Sequence, residues 1–249
     1  MNKIPKSHPR YLSLITREKI SDAMKKGLVH ETGLIAHGRG EAFDYLIGEK
    51  TIKIAENAEK VAAAILLCAE KPVISVNGNV VALAAKQCIN LSKVIPAKIE
   101  VNLFHRTQER MKKLVKELKK QGAEKVYGEK ADGRIPGLKH DRGLCDKQGI
   151  FSADVVLVSL EDGDRCQALI NMGKTVIAID LNPLSRTAKY ASITIVDNVI
   201  RAIVNIEKWA RKLKYEDKEV LEKMIKSWDN KKMLKNTCCF ISKRLNSLF

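Results

Sequence analysis

The sequence has no long hydrophobic run, few aromatic residues and no cysteine pattern typical of metal sites or disulfide frameworks. Its longest apolar run, at positions 61–69, has nine residues, whereas a transmembrane helix requires roughly 20. The six cysteines include no CxxC or Cys/His spacing of the kind that binds zinc, and no signal-peptide pattern precedes them. These absences argue against a membrane-spanning helix, and we expect reduced thiols in a cytoplasmic protein.

Two common phosphate-binding motifs are also missing. The chain has neither GxGxxG, which is typical of dinucleotide-binding folds, nor GxxxxGK[ST], the phosphate loop of many nucleotide hydrolases. A nucleotide-dependent oxidoreductase or transferase with a standard phosphate motif therefore has no support in the sequence.

Positive charge, in contrast, is abundant. The chain has 45 Lys and Arg residues against 29 Asp and Glu residues, a formal net charge of +16. Such a surface attracts either nucleic acid or small polyanions such as ATP and phosphorylated metabolites. Aromatic residues, which provide stacking platforms for single strands, make up only 5% of the chain. We favour small polyanions as ligands and keep a basic nucleic-acid-binding protein as the alternative function.

Hydrophobic periodicity predicts alternating helices and strands. Apolar residues at helical spacing predict helices, and short runs rich in Val and Ile predict buried strands. Helices are predicted around 55–66 and at 79–92, 107–121, 164–172 and 198–213, and strands at 72–76, 98–103, 154–160, 174–181 and 192–196. This order predicts an α/β fold with a mostly parallel sheet and helices on both faces.

The segment 33–45, GLIAHGRGEAFDY, combines three glycines with histidine, arginine and carboxylate side chains. We predict an irregular segment in which the two glycines that flank Arg39 allow positive φ or a close approach to a ligand. Glu41 and Asp44 are predicted to open the next helix, whose N-terminus attracts anions together with Arg39. The alternative interpretation is a glycine-rich helix connector with a solvated arginine.

Polar residues follow all five predicted strands. Because the carboxyl ends of parallel strands meet at one sheet edge, where ligands bind in open α/β sheets, we expect a binding site there. A turn or helix cap explains any single one of these segments equally well. The residues in question are Asn77 and Asn79; Asn102, His105 and Arg106; Glu161, Asp162, Asp164 and Arg165; Asp180, Asn182, Arg186 and Thr187; and Asp197 and Asn198.

Several of these residue types indicate specific chemistry. Asp180, at a strand end, is placed like the acidic residue that holds a ribose hydroxyl in nucleotide-binding folds. The acidic cluster 161–164 has ligands suited to Mg²⁺ or to a cationic amine, or it is a solvated turn. His37 and His105 are candidates for phosphate binding or proton transfer, or else are structural histidines.

Several unbroken motifs resemble the archaeal phosphopantothenate synthetases, the 4-phosphopantoate:β-alanine ligases of coenzyme A synthesis. They lie at 4–11, 16–18, 33–45, 72–79, 100–104, 160–165 and 179–187. The resemblance covers roughly residues 4–205 and leaves the tail after about residue 212 unassigned. Val204 and the pair Ala84-Ala85 stand where this family more usually has proline, and we interpret both as packing variations.

The resemblance implies a Rossmann-like core, a homodimer and an ATP-dependent reaction. The carboxylate of 4-phosphopantoate would attack the α-phosphate of ATP, and β-alanine would then displace AMP from the acyl adenylate. Neutralising so many anionic oxygens explains the arginines and the basic charge. By family pattern, ATP would be bound by Arg17, Arg39, Asp180, Leu181, Asn182, Arg186, Thr187, Asn198 and Val199.

The remaining assignments are hypotheses from position alone. We predict catalytic roles for Glu161, Asp162, Asp164 and His105, with Mg²⁺ accompanying ATP on ligands that the sequence does not identify. Substrate contacts are predicted from His37, Glu41, Asn77, Asn79, Asn102, Arg106 and Arg165.

We expect one domain over residues 1–249. It is divided into a helical N-terminal segment at 1–71, a Rossmann-like core at 72–213 and a helical C-terminal tail at 214–249. Residues 129–151 have no sustained periodicity, which predicts a long ordered loop near a site or an excursion between the sheet halves.

Overall fold

The computed structural model describes residues 4–248, which form ten α-helices and eight strands. The helices are α1 (Tyr11–Lys25), α2 (Glu31–Ile47), α3 (Lys53–Cys68), α4 (Gly78–Val94), α5 (Gln108–Lys120), α6 (Gly163–Asn171), α7 (Arg186–Tyr190), α8 (Val199–Leu213), α9 (Lys218–Lys226) and α10 (Asn230–Asn246). The strands are β1 (Val73–Val76), β2 (Lys98–Val101), β3 (Val126–Tyr127), β4 (Gly133–Arg134), β5 (Leu144–Cys145), β6 (Val155–Ser159), β7 (Thr175–Ile179) and β8 (Ile193–Ile195).

Six strands form one parallel sheet in the order β3-β2-β1-β6-β7-β8. Val73 of β1 pairs with Lys98 of β2 on one side and with Val156 of β6 on the other. The strand order reverses between β1 and β6, and connections that diverge at such a point leave a crevice beyond the strand ends. The predicted α/β, Rossmann-like fold is therefore confirmed.

Side chains on the strands alternate between two apolar cores. Ile74 and Val76 of β1 belong to the core that includes α3, α4, α5 and α8. Val73 belongs to the opposite core, which includes α6 and apolar residues of the excursion 129–151 such as Ile135. Because both faces are covered, the strands read as continuous Val and Ile runs.

Predicted and observed elements differ by one or two residues at most ends, as is usual for helix and strand boundaries. The sequence did not predict β3 or α7, since a strand of two residues and a helix of five are too short to show a period. The excursion contains the antiparallel pair β4–β5 and two 3₁₀ turns. Helix α4 is kinked at Ala84 (φ −140°, ψ 19°), in the segment where the family more usually has proline.

The segment 33–45 corrects the prediction of an irregular loop, because it lies inside the continuous helix α2. The helix begins earlier than predicted, at Glu31, where the His30 ring accepts a hydrogen bond from the Thr32 amide. It ends at Gly48, whose φ of 86° terminates the helix. The two glycines that flank Arg39 have no positive φ. Glu41 and Asp44 therefore lie on the body of a helix rather than at its start.

The C-terminal helices pack onto the rest of the fold. Phe240 and Ile241 of α10 contact a small apolar cluster that joins Ile47 of α2 to Leu181, just beyond β7. The three-part division of the chain remains a prediction. Among residues 4–248, no helix combines the length and apolar character required to span a membrane.

Candidate active site

Helix α2 covers the carboxyl edge of the sheet and separates two cavities. The switch-point cavity, of about 330 Å³, lies beyond β1, β2 and β6 at the start of α2 and α4. The amino-terminal cavity, of about 430 Å³, lies between residues 6–16, the end of α2 and the start of α8. His37 lines the amino-terminal cavity and a smaller gap beside Leu181, Asn198 and Val199. The carboxyl edge of the sheet therefore has two compartments. Asn77, Asn79, His105 and Asp162 line the switch-point cavity, and Asn198 lines the amino-terminal cavity.

The switch-point cavity is suited to an anion. His30 and His105 stack with ring centroids 3.8 Å apart, and Arg110 and Arg142 also line the cavity. The N-termini of α2 and α4 face it, and helix N-termini attract anions. Burial, followed by the positive neighbours His105 and Arg110, lowers the pKa of His30. A bound anion would offset the repulsion among these positive groups, so the switch-point cavity favours a negatively charged ligand.

Two asparagines build the floor of this cavity. The Asn77 side chain accepts from the Val80 amide at 3.1 Å, which caps α4, and donates to the Ser159 carbonyl at 2.9 Å, which ties β1 to β6. Asn79 donates to the Gly33 carbonyl at 2.8 Å. A Cβ atom at Gly33 would lie 2.5 Å from Asn79 Oδ1, so glycine is required for this approach. Both asparagines thus fix α2 and α4 against the strand ends.

The acidic cluster is not arranged as a metal site, and Glu161 within it is not a free base. Both oxygens of the Glu161 carboxylate are in buried ion pairs, one with Arg142 and the other with Arg165. Burial by itself raises the pKa of Glu161, but these two arginines outweigh it and lower the pKa. Asp162 pairs with Arg142 at 3.0 Å, and Asp164 pairs with Arg186 at 2.7 Å at the surface. Within residues 4–248 no group of three or more His, Cys, Asp or Glu side chains is placed to hold a metal ion.

Three predicted substrate contacts are not among the residues that line either cavity. The Arg165 side chain has no exposed surface and also contacts Ser75 Oγ at 3.3 Å. Asn102 is 1% exposed and donates to the Leu144 carbonyl at 2.9 Å. Arg106 donates to the Gly128 carbonyl at 2.6 Å. These side chains hold Glu161 and the excursion in place, and direct substrate contacts from them stay a prediction.

Arg142 is a site residue that the sequence did not reveal. It lies in the excursion, is only 4% exposed, and links the cavity wall to Glu161 and Asp162. The excursion is held by Asp146, which accepts from the Gly128 amide at 2.8 Å, and by Glu100, which accepts from the Ile150 amide at 2.6 Å. Burial raises the pKa of Glu100 to about 7. No local sequence pattern around Arg142 predicts its ion pair with Glu161, which lies 19 positions further along the chain.

The turn after β7 is preorganised by its own side chains. Asp180 accepts from the Asn182 amide at 2.9 Å and from Ser185 Oγ at 2.5 Å. Burial raises the pKa of Asp180, against the opposing effects of these hydrogen bonds and of the Arg39 charge. Thr187 donates to the Glu161 carbonyl at 2.7 Å, which connects this turn to the acidic cluster. Arg39 is exposed on α2 on the same side as Asp180.

Helices α1, α2 and α8 are joined by ion pairs around the amino-terminal cavity. Arg17 contacts both oxygens of Glu41, at 3.0 and 2.9 Å from its Nε atom. Asn198 caps α8 and donates to Asp44 at 3.0 Å. Burial is the main cause that lowers the pKa of His37, so its ring is neutral near pH 7. The structure therefore brings Arg17, His37 and Asn198 to the same side of α2.

A Rossmann-like sheet with ligand-sized cavities at its switch point and carboxyl edge defines the class of α/β proteins that bind small molecules beyond their strand ends. Comparison with known proteins identifies the member. Residues 54–244 match the phosphopantothenate/pantothenate synthetase family, and the chain belongs to that family.

Similar proteins come from several archaea. The chain is 54% identical to a Thermococcus kodakarensis protein over 249 residues, covering 100% of this chain and 95% of the relative. It is 52% identical to a Methanosarcina mazei protein over 248 residues, covering 100% and 98%. A Methanospirillum hungatei protein is 58% identical over 210 residues, covering 84% and 86%. All three are named 4-phosphopantoate--beta-alanine ligase. The resemblance thus extends beyond residue 205, which corrects the range expected from the sequence.

Proposed function

We propose that this protein is an ATP-dependent ligase that joins 4-phosphopantoate to β-alanine, giving 4′-phosphopantothenate, AMP and pyrophosphate in coenzyme A synthesis. The observation that carries the proposal is the full-length similarity to relatives with that name. The two compartments at the carboxyl edge support it. In the proposed reaction the carboxylate of one bound anion must reach the α-phosphate of a nucleotide bound beside it.

The switch-point cavity is our proposed site for 4-phosphopantoate. Two helix N-termini, Arg110 and the stacked His30 and His105 suit its phosphate. Arg110 Nε is buried without a hydrogen-bond partner, which leaves a donor available to a ligand that reaches it. In this arrangement Asn77 and Asn79 act as the floor that orients the substrate, and their amides are already held by the fold.

The other side of α2 is our proposed nucleotide site. Asp180 would accept from the ribose, and Arg39 and Arg17 would contact phosphate oxygens, as the family pattern implies. Gly40 lies against Leu181, since a Cβ atom there would be 3.6 Å from Leu181 Cδ1. The nucleotide would therefore lie between α2 and the turns that begin α7 and α8, in contact with Leu181, Asn182, Arg186, Thr187, Asn198 and Val199.

The chemistry follows in two balanced steps. The substrate carboxylate oxygen bonds to the α-phosphorus as the bond to pyrophosphate breaks. The β-alanine ammonium then gives one proton to a base, its nitrogen bonds to the acyl carbon as the acyl–oxygen bond to AMP breaks, and a second N–H proton is released to solvent as the amide forms. Since Glu161 is neutralised by two arginines, we assign the ammonium contact and proton acceptance to Asp162 and His105, which line the switch-point cavity.

Mg²⁺ is proposed only as a companion of ATP. The donor set of the predicted acidic cluster does not fit a resident ion, because Glu161 and Asp164 are paired with arginines. Mg²⁺ with a nucleotide is commonly held by phosphate oxygens and few protein ligands, which is compatible with this site.

We also propose a cytoplasmic homodimer. All six cysteines are free thiols, as expected for a reducing compartment. Leu12 on α1 and Ile35 on α2 are 78% and 74% exposed, and a second copy of the chain would cover such apolar side chains.

The decisive experiment follows the oxygen and phosphorus atoms. With ATP, 4-phosphopantoate labelled with ¹⁸O in its carboxylate and β-alanine, phosphorus NMR should detect AMP carrying one ¹⁸O, and pyrophosphate without label. Omission of either acid should abolish AMP release at multiple turnover. Formation of ADP, or of unlabelled AMP, would rule out the acyl-adenylate route.

A further inference from the structure

A buried carboxyl group lies behind the proposed nucleotide site and takes no part in the chemistry above. Glu59 on α3 has no exposed surface. Asn205 on α8 donates to its Oε1 atom at 3.2 Å. Its Oε2 atom is buried and has no hydrogen-bond partner among residues 4–248. An ionised carboxylate in such a place loses its hydration without compensation, which is costly.

A short hydrogen-bond chain leads from Glu59 to a second carboxyl group, that of Asp197 beyond β8. Asn205 donates both to Glu59 Oε1 and to Thr51 Oγ1 at 3.2 Å, and the Thr51 hydroxyl in turn donates to Asp197. The Asp197 side chain is also fully buried. It accepts from the Asn198 amide at 2.7 Å, from Arg201 Nε at 2.8 Å and from Thr51 Oγ1 at 2.6 Å. Two neighbouring buried carboxyl groups are stable when one of them carries a proton, because two nearby negative charges repel in a low-dielectric interior.

The surrounding charges do not neutralise a second anion. Arg201 is the guanidinium of this cluster, and it pairs with both Asp44 and Asp197. On the same helix, Glu56 adds a further negative charge near Glu59 and pairs with Lys53 at the surface, whereas the Lys60 ammonium lies over the Trp209 ring. Asp44 and Asp197 thus already occupy this half-buried cation, and the charge balance is restored when Glu59 is neutral.

We propose that Glu59 is a protonated positioning residue that donates a hydrogen bond to Asp197 and thereby fixes the start of α8 at the nucleotide side of the site. Asp197 then holds the Asn198 amide and Arg201, and Asn198 in turn donates to Asp44 of α2. This inference rests on the proposed function, which places ATP on that side of α2. In support, burial, followed by repulsion from Asp197, raises the pKa of Glu59 to about 9.

Loss of this proton would place two charges side by side and push Asp197 away from α3. The Asn198 backbone, which Asp197 holds directly, would move with it. ATP affinity should therefore decline as pH rises through about 9, while the fold persists.

The test measures ATP binding by calorimetry between pH 7 and 10 for wild type, Glu59→Gln and Glu56→Gln. Glutamine keeps the donor to Asp197 and the acceptor for Asn205, and it does not ionise. We expect the ATP affinity of wild type and Glu56→Gln to fall about tenfold or more between pH 7 and pH 10. A tenfold change in affinity corresponds to a shift of one pKa unit. Glu59→Gln should match wild type at pH 7 and remain unchanged at pH 10. An alkaline loss that is equal in Glu59→Gln and wild type would overturn the proposal.

An infrared measurement keeps this result separate from the proposed function. At pH 7 the protonated-carboxyl band should be stronger in wild type than in Glu59→Gln, since the band from Glu100 is common to both proteins. If the protein binds no ATP, the proposed function fails, and the infrared band still decides whether Glu59 carries a proton. If the band is identical in both proteins, Glu59 is ionised and the inference is wrong.

Discussion

The side chains at the carboxyl edge fall into two groups. Some face a cavity, and the others are neutralised by buried ion pairs within the protein. Asp162 and His105 belong to the first group, and Glu161 and Arg165 to the second, while Arg39 is exposed on α2. A site of this kind needs both, because the buried pairs hold the exposed groups in position before a ligand arrives.

Arg39 is the residue whose removal should affect catalysis most selectively. It is exposed, so Arg39→Ala should leave the free energy of unfolding nearly unchanged. Loss of a cation that stabilises developing phosphate charge should lower kcat/KM for ATP by about 10²-fold or more. Steady-state assays should use Arg211→Ala, an exposed arginine late in α8, as the control. Equal rates for both variants would remove Arg39 from the site.

Glu161 and Asp164 offer a matched comparison between a buried and an exposed ion pair. Glu161→Gln leaves two arginines without their carboxylate and should reduce the free energy of unfolding by about 3–5 kcal/mol. Asp164→Asn breaks a surface pair and should cost about 0–1 kcal/mol. Urea unfolding measures both values. Similar values for the two variants would contradict the assignment of Glu161 as the structural anion of the site.

At the scale of elements, helix α2 separates the two compartments, and its glycines have different roles. Gly33 permits the contact with Asn79, whereas a Cβ atom at Gly38 would meet nothing within 4 Å. The glycine pattern in the sequence predicted a ligand-binding loop, but the structure shows that Gly33 serves helix packing.

Alanine substitutions in α2 should therefore have opposite effects. Gly33→Ala places Cβ 2.5 Å from Asn79 Oδ1 and 2.9 Å from Val29 Cγ1, which should destabilise the fold by about 1–3 kcal/mol. Gly38→Ala fills open space on a helix and should stabilise it by about 0.5–1 kcal/mol. Thermal unfolding of the two variants provides the measurement. A stable Gly33→Ala variant would mean that α2 does not need to approach α4 so closely.

At the scale of the whole molecule, the buried carboxyl pair makes stability depend on pH. The pKa of Glu59 is raised to about 9 from 4.5, so the native state retains a proton that the unfolded state releases. Stability is therefore greatest below about pH 4.5 for this group and declines as pH rises toward 9. In thermal unfolding, Glu59→Gln should show a weaker decline over this range than wild type or Glu56→Gln. A steeper decline in Glu59→Gln would contradict the sign of the effect.

Association is the second property at this scale. If α1 and α2 contribute to a homodimer, Leu12→Lys combined with Ile35→Lys should shift the molar mass from light scattering toward the 27.9 kDa monomer. Leu245→Lys on α10, also exposed, should leave the mass unchanged. A wild-type protein that is monomeric at the assay concentration would exclude this arrangement.

Nucleic-acid binding remains the alternative interpretation of the +16 charge, and binding assays at low salt would test it.

Much of the fold was predictable because parallel strands buried on both faces produce uninterrupted Val and Ile runs, and amphipathic helices such as α5 and α8 show their period directly. The polar residues after the strands do lie at one edge of the sheet, and their role in ligand binding stays a prediction. The start of α2 was missed, because its cap is the histidine at position 30 and its body contains three glycines. Neither feature is typical of a helix, and packing against α4 and α10 outweighs the low helix propensity of glycine.

By itself the sequence determined the α/β class, the edge at which polar groups gather and the family to which the chain belongs, since these depend on local patterns and on unbroken motifs. Only the tertiary structure decided which polar groups face a cavity. Glu161 is neutralised by Arg142 from the excursion, and Glu59 meets a partner 146 positions away on α8. Whether a carboxyl group is a ligand, a counter-ion or a proton carrier depends on the charges packed around it, and those come from distant parts of the chain.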